Sequence, residues 1–164
     1  MDWVNLVSSI KEYEVNLYDQ IKKKYKVIYQ PQSNEEIKEA VKLWHEDRQK
    51  AIDKYGHISL WDTSKITDMS NLFRFPCSWF NDNISDWDVS NVTSMCNMFC
   101  SCTCFNQPLN NWNVSNVIDM RWMFLDCVSF NQPLNNWNIS NSVKTDGMFM
   151  DARFKKEYKP NFNN

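Results

Sequence analysis

Apolar positions in the later two-thirds of the chain recur in a fixed order. From Trp87 they fall at Val89, Val92, Met95, Met98, Phe99, Cys102, Phe105 and Leu109. Trp87 and Val89 are two residues apart, the spacing of one face of a strand, with Asp88 pointing away. From Val92 the steps become three and four, the spacing of one helical face. Ser90 or Asn91 is placed to accept a backbone hydrogen bond at the start of that piece. Pro108, within Phe105–Leu109, stops the helix and leads the chain onward. The pattern predicts a unit of strand, turn, short helix and extended return.

That unit repeats. FNQPLNNWNVSNVIDMRWMF at Phe105–Phe124 comes back almost letter for letter as FNQPLNNWNISNSVKTDGMF at Phe130–Phe149. Trp61, Trp87, Trp112 and Trp137 are spaced 26, 25 and 25 residues apart, and Phe73, Phe99, Phe124 and Phe149 keep the same intervals. One extra residue between Phe73 and Phe80 accounts for the longer interval and predicts a bulge near Phe75-Pro76. A fixed period of this size signals a solenoid. The expected fold is α+β, a leucine-rich-repeat-like stack of about four strand-plus-short-helix turns with an α-helical N-terminal cap.

The pattern before Gly56 is helical. Trp3, Leu6, Ile10, Tyr13, Leu17 and Ile21 step by three and four, which predicts an amphipathic helix over residues 2–24 ending in Lys22-Lys23-Lys24, where cations suit a helix C-terminus. Lys26–Gln30 reads as a short extended piece closed by Pro31. Ser33 with Glu36 forms a capping box for a second helix, and Gly56 sits where a left-handed C-cap belongs. Ile37, Ala40, Val41, Trp44, Ala51, Ile52 and Tyr55 line its apolar face, predicted to cover the end of the repeats. The domain reading is 1–56 for the helical region and cap, 57–152 for the repeats, and 153–164 for a C-terminal cap with a mobile tail.

The letters of the unit carry a resemblance. WDVSNVTSMCNMF (Trp87–Phe99), WNVSNVIDMRWMF (Trp112–Phe124) and FNQPLNNW at Phe105–Trp112 and Phe130–Trp137 resemble the roughly 25-residue repeat of mycoplasma surface lipoproteins. That repeat is a divergent branch of the BspA-like leucine-rich repeats and also occurs in giant-virus proteins. The likeness covers about Gly56 to Ala152. It departs at Cys77, Cys102 and Cys127, where the family usually has a small residue such as Gly or Ala, and in the last copy at Ser142, Val143 and Thr145. The resemblance implies a curved solenoid with a role in recognition, and it supplies no catalytic residues. An Asn- and Lys-rich, Gly-poor composition fits an AT-rich genome, and with the family's distribution it points to a giant-virus origin.

Composition narrows the chemistry. A net charge of −2 over 164 residues gives no reason to expect nucleic-acid binding. Eight Trp, ten Phe and eight Met are many for this length, but they recur in step with the repeat and so read as core columns rather than a ligand-binding cluster. Asn at matching positions is suited to hydrogen-bonded ladders between neighbouring units. The start, MDWVNLVSSIKEYEVN, has neither a basic leader nor a long apolar run, so the chain is expected in the cytosol, or in host cytoplasm or a virion if viral, without membrane insertion. On that expectation the glycosylation sequons at Asn83, Asn91, Asn113 and Asn138 stay unmodified.

Candidate catalytic and metal-binding groups are few. Cys96, Cys100, Cys102 and Cys104 are the one local cluster with metal-ligand chemistry, but they contain no C-x-x-C pair and no nearby His, so zinc is not expected. Cys77, Cys102 and Cys127 read as small buried thiols in equivalent positions. A nucleophile would need His45 or His57 as its base, and neither has a partner that the sequence places. No Gly-rich phosphate loop is present, so neither cofactor nor metal is expected and the chain is not expected to be an enzyme.

The outward positions beside each Trp are more informative. Asp62, Asp88, Asn113 and Asn138 follow the tryptophans, while Leu60, Asp86, Asn111 and Asn136 precede them. Parallel turns about 4.8 Å apart would set these in two polar columns on one face. Only Asp62 and Asp88 in the first column are charged, which is weak for calcium. The candidate partner-binding residues are therefore Asp62, Asp86, Asp88, Asn111, Asn113, Asn136 and Asn138. The expected function is a non-enzymatic protein-interaction module using that face. The alternative is a structural or assembly component, such as part of a giant-virus particle, attached through the Trp3–Ile21 helix.

Overall fold

A computed structural model of the chain describes residues 28–74 and 78–163. The predicted helix over residues 2–24, its Lys22–Lys24 run, the start of the Lys26–Gln30 piece, the bulge near Phe75-Pro76, and Cys77 lie outside the described residues. Residues 28–30 carry no regular structure.

Two helices open the described chain, α1 at Asn34–Glu46 and α2 at Arg48–Tyr55. The N-cap of α1 is Ser33, whose side chain accepts from the Glu36 N–H at 3.2 Å, while the Glu36 carboxylate takes the Gln32 N–H at 2.7 Å. The predicted single helix is broken at Asp47, whose φ of −151° leaves helical space. Its side chain accepts from the Lys50 N–H at 3.0 Å, so one residue ends α1 and caps α2. Gly56 ends α2 with φ 73°, a conformation that suits glycine. Ile37, Ala40, Val41, Trp44 and Ala51 are buried, and Trp44 packs edge-on against Trp61 at 6.0 Å between ring centroids.

The remainder overturns the expected solenoid of strand-plus-helix turns. Between the one-turn 3-10 helix Ile58–Leu60 and residue 138 there is no strand and no helix among the described residues. Regular pairing is limited to a two-stranded parallel sheet, β1 at Asn138–Ser140 with β2 at Asn161–Asn163. Isolated bridges join Asp68 to Ser94, Ser94 to Asp119, and Asp119 to Lys144, and Ser94 lies in the stretch predicted as helix.

Tight turns explain why a helical spacing gives no helix. Met98 N–H bonds to Met95 O, Cys102 N–H to Phe99 O and Phe105 N–H to Cys102 O, each closing three residues. Met95, Asn97, Phe99 and Ser101 instead send their N–H groups to the carbonyls of Asp119, Arg121, Met123 and Leu125. Amides committed across the chain cannot donate four residues back along a helix. Asn97 and Ser101 have φ of 56° and 64°, left-handed values that interrupt a right-handed helix. The turns still bring Val89, Val92, Met95, Met98, Phe99, Cys102 and Phe105 to the interior.

Aromatic rows fill that interior. Phe73, Phe99, Phe124 and Phe149 lie face to face at 5.4, 5.5 and 5.6 Å between centroids. Phe80, Phe105, Phe130 and Phe154 form a second row at 5.7, 5.8 and 5.7 Å. Three of the buried indoles donate to an earlier carbonyl: Trp87 to Ile58 at 2.9 Å, Trp112 to Ile84 at 3.3 Å and Trp137 to Leu109 at 3.0 Å. A large apolar ring is thus buried without an orphaned N–H.

The C-terminal residues pair with the preceding segment. Leu134 N–H donates to Tyr158 O at 2.8 Å, Asn161 N–H to Trp137 O at 2.9 Å, and β2 lies along β1.

Candidate functional site

The outward positions beside the tryptophans are set by their buried neighbours. Asn113 lies between buried Trp112 and Val114, and Asn138 between buried Trp137 and Ile139, so both amides stand exposed. Asn113 Oδ1 accepts from the Ser115 N–H at 3.2 Å, as Asp88 Oδ1 does from Ser90 at 2.9 Å. Each side chain steadies its own turn, leaving the other carbonyl lone pair or carboxylate oxygen and, in Asn, the NH2 group towards solvent. Asn138 occupies the start of β1, and the Asn136 backbone N–H is held by Asn110 Oδ1 at 2.9 Å.

These residues border a shallow depression of about 130 Å3, lined by Trp112, Asn113, Val114, Ser115, Asn136 and Asn138. Three of the seven predicted residues, Asn113, Asn136 and Asn138, therefore meet at one place. Asp86, Asp88 and Asn111 are exposed but do not line it. Asp62 is half-buried and engaged elsewhere, taking the Gln30 Nε2–H at 2.7 Å and the Ser64 N–H at 3.0 Å. Hydrogen bonds from Ser64, and to a smaller degree from Gln30, hold its carboxyl below the usual aspartate value. Ser115 and Val114 were missed by the sequence reading, although both lie in the outward and inward alternation that follows Trp112.

A second row of asparagines is used internally. Asn81 Oδ1 accepts from Asn106 N–H at 2.9 Å, Asn106 Oδ1 from Asn131 N–H at 3.0 Å, and Asn131 Oδ1 from Lys155 N–H at 3.3 Å. Gln107 and Gln132 add bonds to Asn81 O at 2.9 Å and Asn106 O at 3.1 Å. Amides in this row bridge segments 24 to 26 residues apart.

Two of the candidate cysteines and both histidines are engaged in packing or local bonds, whereas Cys104 is exposed. Cys102 donates its thiol to Phe73 O at 3.0 Å, and Cys127 to Phe99 O at 2.7 Å. Burial pushes the Cys127 thiol up to about 12, which disfavours the nucleophilic thiolate. His57 Nδ1 lies 2.8 Å from Ser59 Oγ in the 3-10 turn it caps, and His45 packs edge-on to Trp79 at 5.0 Å. Among the described residues no group of three or more His, Cys, Asp or Glu is arranged to hold a metal ion. Nor is any described helix long and apolar enough to cross a membrane.

Residues 36–162 match the family described as Mycoplasma protein of unknown function, DUF285. The chain belongs to this family. No curated protein and no solved structure matches it. Within this DUF285 chain the match takes in most of α1, the aromatic rows, the depression and most of β2.

Proposed function

We propose that this chain is a non-enzymatic interaction module that binds a protein partner through the face carrying Asp88, Asn113, Asn136 and Asn138. The observation that carries the reading is the contrast between the two asparagine rows. Asn81, Asn106 and Asn131 link neighbouring segments, whereas Asn113, Asn136 and Asn138 stand exposed around one depression. Folding accounts for the first row. Recognition accounts for the second, because a primary amide offers both donors and an acceptor to a polypeptide laid over it. The lettering shared with the BspA-like repeats of mycoplasma surface lipoproteins points the same way.

The test is an affinity capture from the native source with the wild-type chain and with an Asp88→Lys, Asn113→Lys, Asn138→Lys variant. A partner held by the wild type and released by the variant supports the reading. A partner held equally by both sinks it, since three added lysines on a docked face should not be tolerated.

A further inference from the structure

Four amides recur at matching places in three successive segments. Met95, Asn97, Phe99 and Ser101 donate to the carbonyls of Asp119, Arg121, Met123 and Leu125, and Met120, Trp122, Phe124 and Asp126 donate in turn to those of Lys144, Asp146, Met148 and Met150. The third set is Thr145, Gly147, Phe149 and Asp151. Among the described residues nothing accepts from any of these four N–H groups.

The open row keeps the shape of the covered ones. Gly147 and Asp151 have φ of 62° and 59°, against 56° and 64° at Asn97 and Ser101 and 55° and 57° at Trp122 and Asp126. Met148 N–H bonds to Thr145 O at 3.1 Å, Met150 to Gly147 at 3.0 Å and Ala152 to Phe149 at 3.2 Å, the local turns that Met98, Cys100 and Cys102 make with Met95, Asn97 and Phe99. The carbonyls of the open residues are thus turned inward to their own segment, and the edge presents donors. Phe149 carries the same asymmetry in its ring. Phe99 and Phe124 each lie between two rings of their row and are fully buried. Phe149 is half-buried, with Phe124 at 5.6 Å and no further ring of the row beyond it among the described residues. The side chain standing over it is that of exposed Lys159, with Nζ 6.0 Å from the centroid.

A preset row of donors calls for main-chain carbonyls on alternate residues, as in strand addition to an open edge. Both covered rows show the chain that supplies them. It runs parallel, as the Ser94–Asp119 and Asp119–Lys144 bridges do, and in the first case it sets buried Met120 and Phe124 between the accepting residues. A second copy offers no such chain. Its equivalent edge presents the same donors, and at its other end His45 of α1 stands edge-on to Phe73 and Phe80 at 6.3 and 5.8 Å.

We propose that the Thr145–Asp151 edge is a docking site for a partner-protein segment, laid parallel to it, that offers four carbonyls on alternate residues and sets an aromatic side chain over Phe149 in place of Lys159. The site is separate from the asparagine face and stands whether or not that face binds.

The probe is a labelled, end-capped peptide of the chain's own Asn116–Asp126, the stretch that covers the Met95 row. It should bind the full chain in fluorescence anisotropy, and a control peptide carrying Met120→Asp and Phe124→Asp should bind about tenfold more weakly or less. Amide exchange followed by NMR reads the edge itself. In the chain alone Thr145, Gly147, Phe149 and Asp151 should exchange fast while Met120, Trp122, Phe124 and Asp126 are protected, and the peptide should slow the first four. Thr145→Pro deletes one unused donor just after the bridged Lys144, so it should keep the melting temperature and weaken the peptide about fivefold. No binding, equal binding of both peptides, unchanged affinity in Thr145→Pro, or slow exchange of the four amides in the chain alone would each overturn the proposal. Self-association in sedimentation that slows the same four amides would also overturn it, by assigning the edge to a second copy.

Discussion

The helical end and the turn-built remainder place apolar residues at the same steps of three and four, but they satisfy their backbones in opposite ways. In α1 and α2 the amides bond locally, and Ser33, Asp47 and Gly56 settle the ends. In the remainder, Met95, Asn97, Phe99 and Ser101 reach carbonyls 24 residues further on. Local bonding makes each helical turn nearly self-sufficient, whereas a turn in the remainder needs its neighbour in place before half of its amides have partners. The two regions nonetheless share one continuous core, from Ile37 to Met148.

The strongest way to break this comparison is to remove a ring. Trp112→Ala removes an indole stacked on Trp137 at 6.5 Å and bonded to Ile84 O, and should cost about 3–5 kcal/mol. Trp44→Ala at the helical end should cost a similar amount, and urea unfolding of both variants should show a single transition. Two separate transitions would mean that the regions fold independently.

Alkaline titration separates the regions next. The Cys127 thiol is pushed from 9.0 to about 12 by burial, and the Tyr29 hydroxyl from 10.0 to about 12, again chiefly by burial. Both folded values lie above the unfolded ones, so the stability linked to each is fully present below the unfolded value. It is lost as pH rises towards about 12. Between pH 9 and 10 the Cys127 thiol contributes, together with the Cys96 thiol that burial also raises, and the Tyr29 hydroxyl does not, so Cys127→Ala should lessen the early decline in melting temperature and Tyr29→Phe only the later one.

Backbone preference gives a smaller effect. Asn97→Ala puts a β-carbon at φ 56° without the side chain that tolerates it, and should cost about 1–2 kcal/mol. Ala at exposed Lys42 of α1 removes only a pair to Glu46 at 3.8 Å and should cost a few tenths of a kcal/mol. Smallest of all, Lys at exposed Asn138 should change stability by about 0.5 kcal/mol or less in thermal melts. A larger loss would show that side chain to be structural.

Legibility in the sequence follows the same divide. Ser33, Glu36 and Gly56 announce helix ends through side-chain chemistry that acts within a few residues, so the caps could be read directly. Asp47 was passed over because apolar spacing continues across it. In the remainder, spacing located the buried residues, Trp87, Val89 and Phe99 among them, but not the conformation linking them, since a series of three-residue turns and a helical face bury the same positions. The left-handed Asn97 was a readable cue; Trp122 in the same state was not, because its residue type argues against it. Exposure of Asn113 and Asn138 followed from their buried neighbours. The engagement of Asp62 depends on Gln30, a partner 32 residues away that no local pattern reveals.

The recurring indoles and buried thiols have a direction in time. The indoles of Trp61, Trp87, Trp112 and Trp137, and the thiols of Cys102 and Cys127, all donate to carbonyls nearer the N-terminus. A ribosome releases those acceptors first. Each of these donors emerges to find its acceptor already made, whereas Trp44 must wait for Asp82 and Thr63 for the Asp88 carbonyl, so the helical end is completed only after that stretch is translated.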